Sequence, residues 1–346
     1  MKTLNVKMFL EETDKYLLVD VRSSGEYLEA SIPGAVNVPL FDDEERAAVG
    51  CTYKEEGTEK AKIVGLYLVA PKLPLLVDTI VKEADGREIL LYCWRGGMRS
   101  RSLAVVLDVM NYPVSILHGG YKAFRRSVVS WLNNAAVNKP VFVLNGLTGV
   151  GKTLVIKQLM EMGVPAIDLE NMANHRGSVF GSIGLGRPRS QKDFEALLFL
   201  ELKKHEFAPY LIMEGEGKRI GPVVLPDFIF KALCEGPHIL LETGIDVRAA
   251  RITEQYSSSA DDNKEQLVKA VLSLEKRLGK QRCQDLADKI ILGYYDGAAR
   301  SLCLDYYDSL YGESRKLKES YLEVIDVTDL EKGAANIVEA VENYIQ

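Results

Sequence analysis

The chain has 346 residues, of which 47% are hydrophobic and 27% charged, and its formal net charge is −6. This length allows two domains with separate cores, and the composition is ordinary for a globular protein. The acidic balance excludes a global electrostatic attraction for nucleic acid, so any RNA contact must come from local basic patches.

The sequence predicts a cytoplasmic protein without a membrane span. No stretch approaches the roughly 20 apolar residues that span a bilayer, and acids interrupt the N-terminal segment where a signal peptide has its apolar run. The five cysteines are scattered without C-x-x-C or metal-ligand spacing, which is typical of a reducing compartment: Cys51, Cys93, Cys234, Cys283 and Cys303.

In the first 130 residues, short apolar runs alternate with helical segments. Strands are predicted at 17–21, 89–92 and 114–117, and helices at 42–85, with breaks at Gly57, Pro71 and Pro74, and at 99–110. Alternating strands and helices predict an α/β domain, 1–130, built on a parallel sheet.

A polar segment at 131–139, followed by Pro140, is predicted to link this domain to a second one, with a helix as the alternative for its first residues. Beyond it, strands are predicted at 141–144, 166–169, 210–213 and 239–242, with a helix at 152–162 after the first of them. From about Asp261 the apolar spacing becomes helical. The second domain, 140–346, is therefore predicted to be α/β with a mostly helical C-terminal part.

Cys93 follows the predicted strand 89–92 and precedes the residues Trp-Arg-Gly-Gly-Met-Arg-Ser. A parallel strand delivers its last residue to the ligand crevice, and the glycine-rich loop can direct backbone N–H groups at the sulfur. Arg95 and Arg99 add positive charge, which favours a thiolate nucleophile. The alternative is a buried structural cysteine, which would not require two arginines. We therefore predict a catalytic site of Cys93, Arg95 and Arg99.

The first domain resembles the rhodanese family in Asp20-Val-Arg22, Glu26, Ile32-Pro-Gly-Ala and His118-Gly-Gly-Tyr121. The resemblance implies that sulfur or selenium is held on Cys93. Five residues separate Cys93 from Arg99, whereas sulfurtransferase-type rhodaneses usually have four, and the longer spacing is that of rhodanese-related phosphatases. The wider loop suits a phosphate-sized group.

Residues 146–153 match the pattern G-x-x-x-x-G-K-[ST] between a predicted strand and a predicted helix, which is the context that confirms a P-loop. Its glycines let backbone N–H groups surround phosphate oxygens, the lysine reaches the terminal phosphates and the threonine hydroxyl can bind Mg²⁺. The pattern predicts binding of a di- or triphosphate. The predicted phosphate-binding residues are Gly146, Thr148, Gly149, Gly151, Lys152 and Thr153.

Glu214 and Glu216 follow the apolar run 210–213, where a Walker B acid is expected. Either carboxylate would hold a metal-bound water or act as a base; the alternative is a solvated glutamate at a strand end. Arg248 and Arg251 lie at helical spacing and resemble the lid arginines of small P-loop kinases, although a solvated helix face would show the same spacing.

A rhodanese domain fused to a P-loop domain, with several accompanying segments, resembles the bacterial tRNA 2-selenouridine synthase family over nearly the whole chain. Those segments are Asp168-Leu-Glu170, Asn174-His-Arg-Gly-Ser-Val-Phe-Gly181 and Lys218-Arg-Ile-Gly221. The implied fold is a rhodanese-like domain followed by a P-loop NTPase-like domain. The implied activity is a transferase reaction that converts 2-thiouridine at the tRNA wobble position, position 34, to 2-selenouridine.

The resemblance implies geranyl diphosphate and selenophosphate as co-substrates and no tightly bound cofactor, and the P-loop threonine makes Mg²⁺ a candidate ion. Geranyl diphosphate would offer its diphosphate to the P-loop and form an S-geranyl intermediate, and selenophosphate at the Cys93 loop would then replace sulfur with selenium. Whether Cys93 carries a perselenide or assists attack by selenophosphate is left open.

Because the chain is acidic overall, contacts with substrate and tRNA are expected from local residues: His175, Arg176, Arg187, Arg189, Lys218 and Arg219. Trp94 and Tyr121 are candidates for stacking on an exposed base, unless Trp94 is a core aromatic.

Two other classes of protein fit parts of the pattern. One is a P-loop kinase fused to a sulfurtransferase, which the Walker lysine and the arginine pair favour, and which the lack of an aspartate at Glu214 disfavours. The other is a regulatory module in which the rhodanese domain senses and the P-loop switches. The intact Cys93 loop argues against this second class.

Overall fold

The computed structural model describes residues 1–257, 260–310 and 321–346. The chain forms two compact units, the first of Met1–Asn134 with Glu195–Phe199 and the second of Ala135–Phe194 with Leu200–Gln346. Each unit contains its own parallel sheet and its own apolar core.

The first unit contains a parallel five-stranded sheet with the order β1-β5-β4-β2-β3. Its strands are β1 Lys2–Leu4, β2 Tyr16–Asp20, β3 Val36–Asn37, β4 Glu88–Tyr92 and β5 Val114–Leu117. Its helices are α1 Val6–Glu11, α2 Ser24–Glu29, α3 Asp43–Glu55, α4 Thr58–Val69, α5 Leu73–Ala84, α6 Met98–Val109 and α7 Gly120–Asn134. Strands β2 and β4 are almost wholly buried, as expected for a parallel sheet covered by helices.

Helices α4 and α5 join through a single 3₁₀ turn, Ala70–Lys72, so the two prolines there do not interrupt the helical path. The run Thr58–Ala84 is 27 residues long with a mean hydropathy of 1.6, enough by length and composition alone to cross a membrane. The expectation that no stretch approaches this length is therefore wrong. Helix α5 buries Leu76, Val77 and Ile80 in the core, so that half of the run belongs to the folded domain.

Helix α7 extends to Asn134, so the first residues of the segment 131–139 are helical, which is the alternative that the sequence left open for them. The buried face of the helix continues through Val128 and Leu132, while the residues after them are polar. A polar helix end resembles a linker in sequence because only its apolar side identifies it as a helix.

The second unit contains a parallel five-stranded sheet with the order β12-β11-β6-β8-β7, and a two-stranded antiparallel pair, β9 and β10. The strands are β6 Val141–Asn145, β7 Ala166–Ile167, β8 Leu211–Glu214, β9 Arg219–Ile220, β10 Val223–Val224, β11 His238–Glu242 and β12 Glu323–Asp326. The helices after residue 135 are α8 Lys152–Glu161, α9 Leu169–Ala173, α10 Gln191–Lys204, α11 Asp227–Glu235, α12 Ile245–Ser257, α13 Ala260–Leu272, α14 Glu275–Leu278, α15 Lys280–Ile291, α16 Tyr295–Leu302, α17 Asp308–Leu310 and α18 Leu330–Ile345, with a π-helical segment at Cys303–Tyr307.

The C-terminal part beyond about Asp261 is mostly helical, but it also contributes strand β12, which pairs in parallel with β11. This strand was not predicted. Within it only Ile325 is buried, and the strand is identified by its pairing with β11. Helices α13, α15 and α16 bury an apolar cluster together with Phe180 and Ile183.

Candidate active sites

Cys93 lies directly after β4, in a loop that closes around its sulfur. The Gly97 N–H and the Ser100 hydroxyl donate hydrogen bonds to Sγ at 3.2 and 3.3 Å. Gly120 has φ +55°, and a Cβ there would lie 2.1 Å from the Cys93 carbonyl oxygen, so this close approach requires glycine. Two hydrogen-bond donors therefore face this one sulfur.

The two arginines predicted for this site take different positions. Arg99 pairs with Glu26 through two hydrogen bonds, of 2.5 and 3.3 Å. Although burial opposes it, the hydrogen bond from Arg99 holds the pKa of Glu26 below its ordinary value. Arg95 is exposed in the loop. Ser100, which contacts the sulfur, was not predicted as a site residue, and its place at the end of the glycine-rich loop was the available signal.

A buried ion pair supports the residues next to this loop. Arg22 binds Asp20 at 2.5 Å and donates to the Ala30 carbonyl at 2.8 Å. The Arg22 guanidinium also lies 4.3 Å from the centroid of the Tyr121 ring. A buried charge is tolerated where it is paired and hydrogen-bonded, as here, and the pair therefore fixes Tyr121.

The P-loop of the second unit joins β6 to α8. Lys152 Nζ donates to the Gly146 carbonyl at 3.2 Å, and the Thr153 hydroxyl donates to Glu170 Oε2 at 3.0 Å. Gly149 has φ +80°, and a Cβ there would lie 2.8 Å from the Arg248 carbonyl oxygen. The strand, the loop and the helix have the arrangement expected of a phosphate-binding loop.

Arg248 and Arg251 hold the P-loop from α12. Arg248 is 3% exposed, donates from Nε to the Thr148 carbonyl at 2.9 Å and pairs with Asp308 at 2.6 and 3.0 Å. Arg251 donates to the Val150 carbonyl at 2.5 Å. These side chains are neither a free lid nor a solvated helix face, because backbone carbonyls of the loop bind them.

Four carboxylates come together at the ends of β7 and β8. Glu214 is fully buried; its Oε1 accepts from the Glu170 N–H at 2.7 Å, and its Oε2 has no partner among the described residues. Burial raises the pKa of Glu214 well above its ordinary value. Burial also raises the pKa of Asp168 to about 6 and that of Glu216 to about 7. This group therefore retains part of its protons near neutral pH.

Glu170 was not predicted as a site residue, yet it is the acid that contacts Thr153 of the P-loop. The available signal was its position just after β7, because β7 pairs with β8 and their carboxyl ends share one edge of the sheet.

Across the described ranges, no three His, Cys, Asp or Glu side chains are grouped to hold a metal ion on their own.

A cavity of about 630 Å³ extends from the P-loop into the helical part of the unit. Its polar wall contains Thr148, Gly149, Gly151, Lys152, Thr153, Glu170, Arg176 and Glu216. Its apolar wall, here called the apolar chamber, contains Phe180, Ile252, Leu267, Ile290, Ala298, Ala299, Leu302, Tyr306 and Tyr307. The cavity thus joins a phosphate cradle to an apolar chamber.

Of the residues predicted to contact substrate, Arg176 lines this cavity. It donates to the Ile183 carbonyl at 2.9 Å, and its guanidinium lies 4.8 Å from the centroid of the Tyr256 ring. His175 Nδ1 accepts from the Gly177 N–H at 3.1 Å, and burial lowers the pKa of its ring. The neighbouring histidine is thus occupied within its own loop.

The other four basic residues predicted to bind tRNA are not in the described wall of the cavity. Arg189 donates to the Asn171 carbonyl near the end of α9, and Lys218 forms an ion pair with Asp227. Arg187 and Arg219 are exposed. The two exposed arginines are therefore the better placed for a phosphate backbone.

A thiol loop of the rhodanese type in one unit and a P-loop cavity in the other are the arrangement expected of a group-transfer enzyme with two candidate sites. Residues 6–127 match the rhodanese-like domain family, and residues 139–332 match the family described as the tRNA 2-selenouridine synthase AAA domain. The chain belongs to the tRNA 2-selenouridine synthase family, and it is a transferase that modifies tRNA.

Similar proteins cover most of the chain. The tRNA 2-selenouridine synthases of Shewanella pealeana and Sulfurovum sp. strain NBC37-1 are 32% and 34% identical to it, over 85% of this chain and 87% of each relative. The tRNA 2-selenouridine synthase of Pseudomonas paraeruginosa is 34% identical over 92% of this chain and 92% of the relative.

Among solved structures, the N-terminal domain of a putative ATP/GTP binding protein from Clostridium difficile 630 is 37% identical to this chain, with a TM-score of 0.36. The match covers 37% of this chain and 99% of that domain. The predicted family and fold class are confirmed.

Proposed function

We propose that this transferase converts 2-thiouridine at the tRNA wobble position, position 34, to 2-selenouridine in two steps. The first step transfers a geranyl group from geranyl diphosphate to the sulfur of the base. The second replaces the S-geranyl group with selenium from selenophosphate at the Cys93 loop. The observation that carries the proposal is the cavity that joins the P-loop to the apolar chamber.

The two ends of the cavity match the two ends of a prenyl diphosphate. Lys152 and the backbone N–H groups of the P-loop are donors for phosphate oxygens. The chamber side chains Phe180 and Leu302 are buried, and a hydrocarbon chain gains about 0.8 kcal/mol for each CH₂ removed from water. An adenine ring lying between Phe180 and Leu302 would place its ring nitrogens against apolar side chains, which offer them no hydrogen bond.

A kinase is less well supported than a prenyl transferase. Arg248 and Arg251 were the arginines that favoured a kinase, because lid arginines move onto the transferring phosphate. Their guanidinium groups instead bind the carbonyls of Thr148 and Val150. They therefore support the loop, and Lys152 is the P-loop side chain that would bind the phosphate.

In the first step, the thiocarbonyl sulfur attacks C1 of the geranyl group. The S–C bond forms, the C–O bond to the diphosphate breaks, and N3 of the base loses its proton. The P-loop N–H groups and Lys152 would stabilise the charge that develops on the leaving diphosphate. In the second step, selenium bonds to C2 of the base, geranylthiol leaves, and water cleaves the Se–P bond to release phosphate.

The cavity has oxygen donors that fit Mg²⁺. Mg²⁺ in proteins is usually held by one or two carboxylates together with substrate phosphates. The Thr153 hydroxyl and the Glu170 carboxylate lie 3.0 Å apart beside Lys152, and Glu214 Oε2 is a buried oxygen without a described partner. Thr153 and Glu170 would hold such an ion, which would neutralise charge on the diphosphate.

The five unpaired cysteines agree with action in the cytoplasm.

Calorimetric titration of the full chain with geranyl diphosphate, ATP and inorganic diphosphate tests the donor. Ala298→Phe fills the chamber and is expected to weaken geranyl diphosphate binding about tenfold or more, while inorganic diphosphate binds as before. Gly297→Leu is the matched control on the same helix, because a Cβ there meets nothing within 4 Å. If ATP binds more tightly than geranyl diphosphate, the kinase replaces this proposal.

A further inference from the structure

We propose that Trp94 is the stacking platform for the uracil ring of the wobble nucleoside while C2 of that ring reacts at the Cys93 loop. This inference rests on the proposed selenation at Cys93 and adds to it the recognition of the base. Trp94 follows Cys93 directly, and 39% of its surface is exposed, whereas the neighbouring Tyr121 is 3% exposed. The two aromatic residues therefore have different roles, one at the surface and one in the core.

The Trp94 indole is held by a series of contacts that runs from the core to the surface through Asp20, Arg22 and Tyr121. The Arg22 guanidinium is fixed by Asp20 and lies 4.3 Å from the centroid of the Tyr121 ring. The Tyr121 and Trp94 ring centroids lie 5.6 Å apart, with 34° between the planes. Because Arg22 and Asp20 are both buried, the support cannot shift without disturbing a buried ion pair.

Backbone hydrogen bonds fix the same position. The Tyr121 N–H donates to the Cys93 carbonyl at 3.0 Å, and the Lys122 N–H donates to the Trp94 carbonyl at 3.0 Å. The residue pair Cys93 and Trp94 is thereby attached to the first turn of α7. An indole that is held this firmly, follows Cys93 directly in the chain and is still exposed is not accounted for by packing of the core.

A planar nucleobase is the ligand that this surface fits. Proteins recognise unpaired RNA bases by stacking them on aromatic side chains, and the wobble base lies in a single-stranded loop. Stacking would fix the plane of the ring beside the Cys93 loop. Arg95 and Lys122, both exposed, would add positive charge for the neighbouring phosphates.

Tryptophan fluorescence tests the platform directly, because the chain contains only two tryptophans, Trp94 and Trp131. A Trp131→Phe variant leaves Trp94 as the sole indole. It is titrated with an anticodon stem-loop RNA that carries 2-thiouridine at the wobble position, and with the same RNA made abasic there. We expect the thiouridine RNA to quench the emission and the abasic RNA to leave it unchanged. The Trp94→Phe variant, which retains only Trp131, should respond to neither.

Kinetics on a pre-geranylated stem-loop separate stacking from other roles of the side chain. Trp94→Ala and Trp94→Leu should both lose about 10- to 100-fold in kcat/KM for selenation, and Trp94→Phe should keep most of it. Leucine is apolar but has no ring on which a base could stack. A near-wild-type rate in Trp94→Leu would therefore mean that the indole packs against the geranyl chain instead of the base. Equal quenching by the abasic RNA would likewise overturn the platform. Selenation that survives Cys93→Ser would remove Cys93 from the proposed second step and leave the fluorescence result standing, whereas a wild-type protein that selenates no stem-loop would refute the proposed function.

Discussion

Two hydrogen-bond donors converge on the sulfur of Cys93, and one of them, the Ser100 hydroxyl, can be removed by mutation. The other is the N–H of Gly97, which every substitution except proline would retain. The contribution of side-chain and backbone donors to the sulfur can therefore be separated at this site.

Cys93→Ser should abolish selenation of pre-geranylated tRNA, and Ser100→Ala should lower its rate about 5- to 10-fold, the effect of one hydrogen bond. Ser102→Ala is the control, since Ser102 lies on the same helix and binds the Arg99 carbonyl instead. Nucleoside mass spectrometry measures the product, and geranylation should be unchanged in all three variants. A wild-type rate in Cys93→Ser would remove this residue from the chemistry.

Single residues were predictable where the sequence places them next to one another. The Cys93 loop and the P-loop are continuous motifs, so their residues could be named from the sequence. The partner of Arg99 could not, because Glu26 is 73 positions away and only the folded sheet brings it close. Glu170 was missed for the same reason, since its contact with Thr153 depends on how the strands are ordered.

At the scale of elements, the P-loop and the Cys93 loop each follow a parallel strand, but they lie in different compact units. A substitution in one loop should therefore leave the chemistry of the other unchanged. This makes the two proposed steps separable in one protein preparation.

Lys152→Ala removes a positive charge from the diphosphate cradle and should lower geranylation about 100-fold or more. Selenation of pre-geranylated tRNA supplied with selenophosphate should survive. Lys231→Ala, at an exposed lysine of the same unit, is the control for loss of charge alone. Loss of both steps in a folded Lys152→Ala variant would show that the P-loop also serves selenation.

Elements with a clear apolar period were predicted within a few residues, and those that depend on tertiary contacts were not. Strand β12 lies at a sheet edge and buries only one side chain. It is a strand because it pairs with β11, and that pairing is not visible in the sequence. The helical spacing of Arg248 and Arg251 was visible in the sequence. Their binding to the P-loop carbonyls was not, because it depends on α12 packing against that loop.

For the whole molecule, the raised pKa values of the buried acids predict how stability changes with pH. Asp168 and Glu216 have folded-state pKa values of about 6 and about 7, above their ordinary 3.8 and 4.5. The folded state then binds these protons more tightly than the unfolded state. Their contribution to stability is complete below the unfolded pKa and is lost as pH rises through the folded pKa.

Glu216→Gln should therefore gain stability relative to the wild type as pH rises from 5 to 8, on the order of 2 kcal/mol. Urea unfolding at several pH values, followed by a signal from the second unit, measures this difference. Glu206→Gln, at an exposed glutamate paired with Lys203, is the control. A difference between Glu216→Gln and wild type that does not change with pH would contradict the raised pKa.

The supports of the P-loop come from residues made much later in synthesis than the loop itself. Arg248 is held by Asp308, and Arg251 donates to the Val327 carbonyl as well as to the loop. A chain growing on the ribosome would thus carry a finished Cys93 loop long before its phosphate cradle is braced. Translation that stops before these residues would yield the Cys93 loop without the side chains that brace the P-loop.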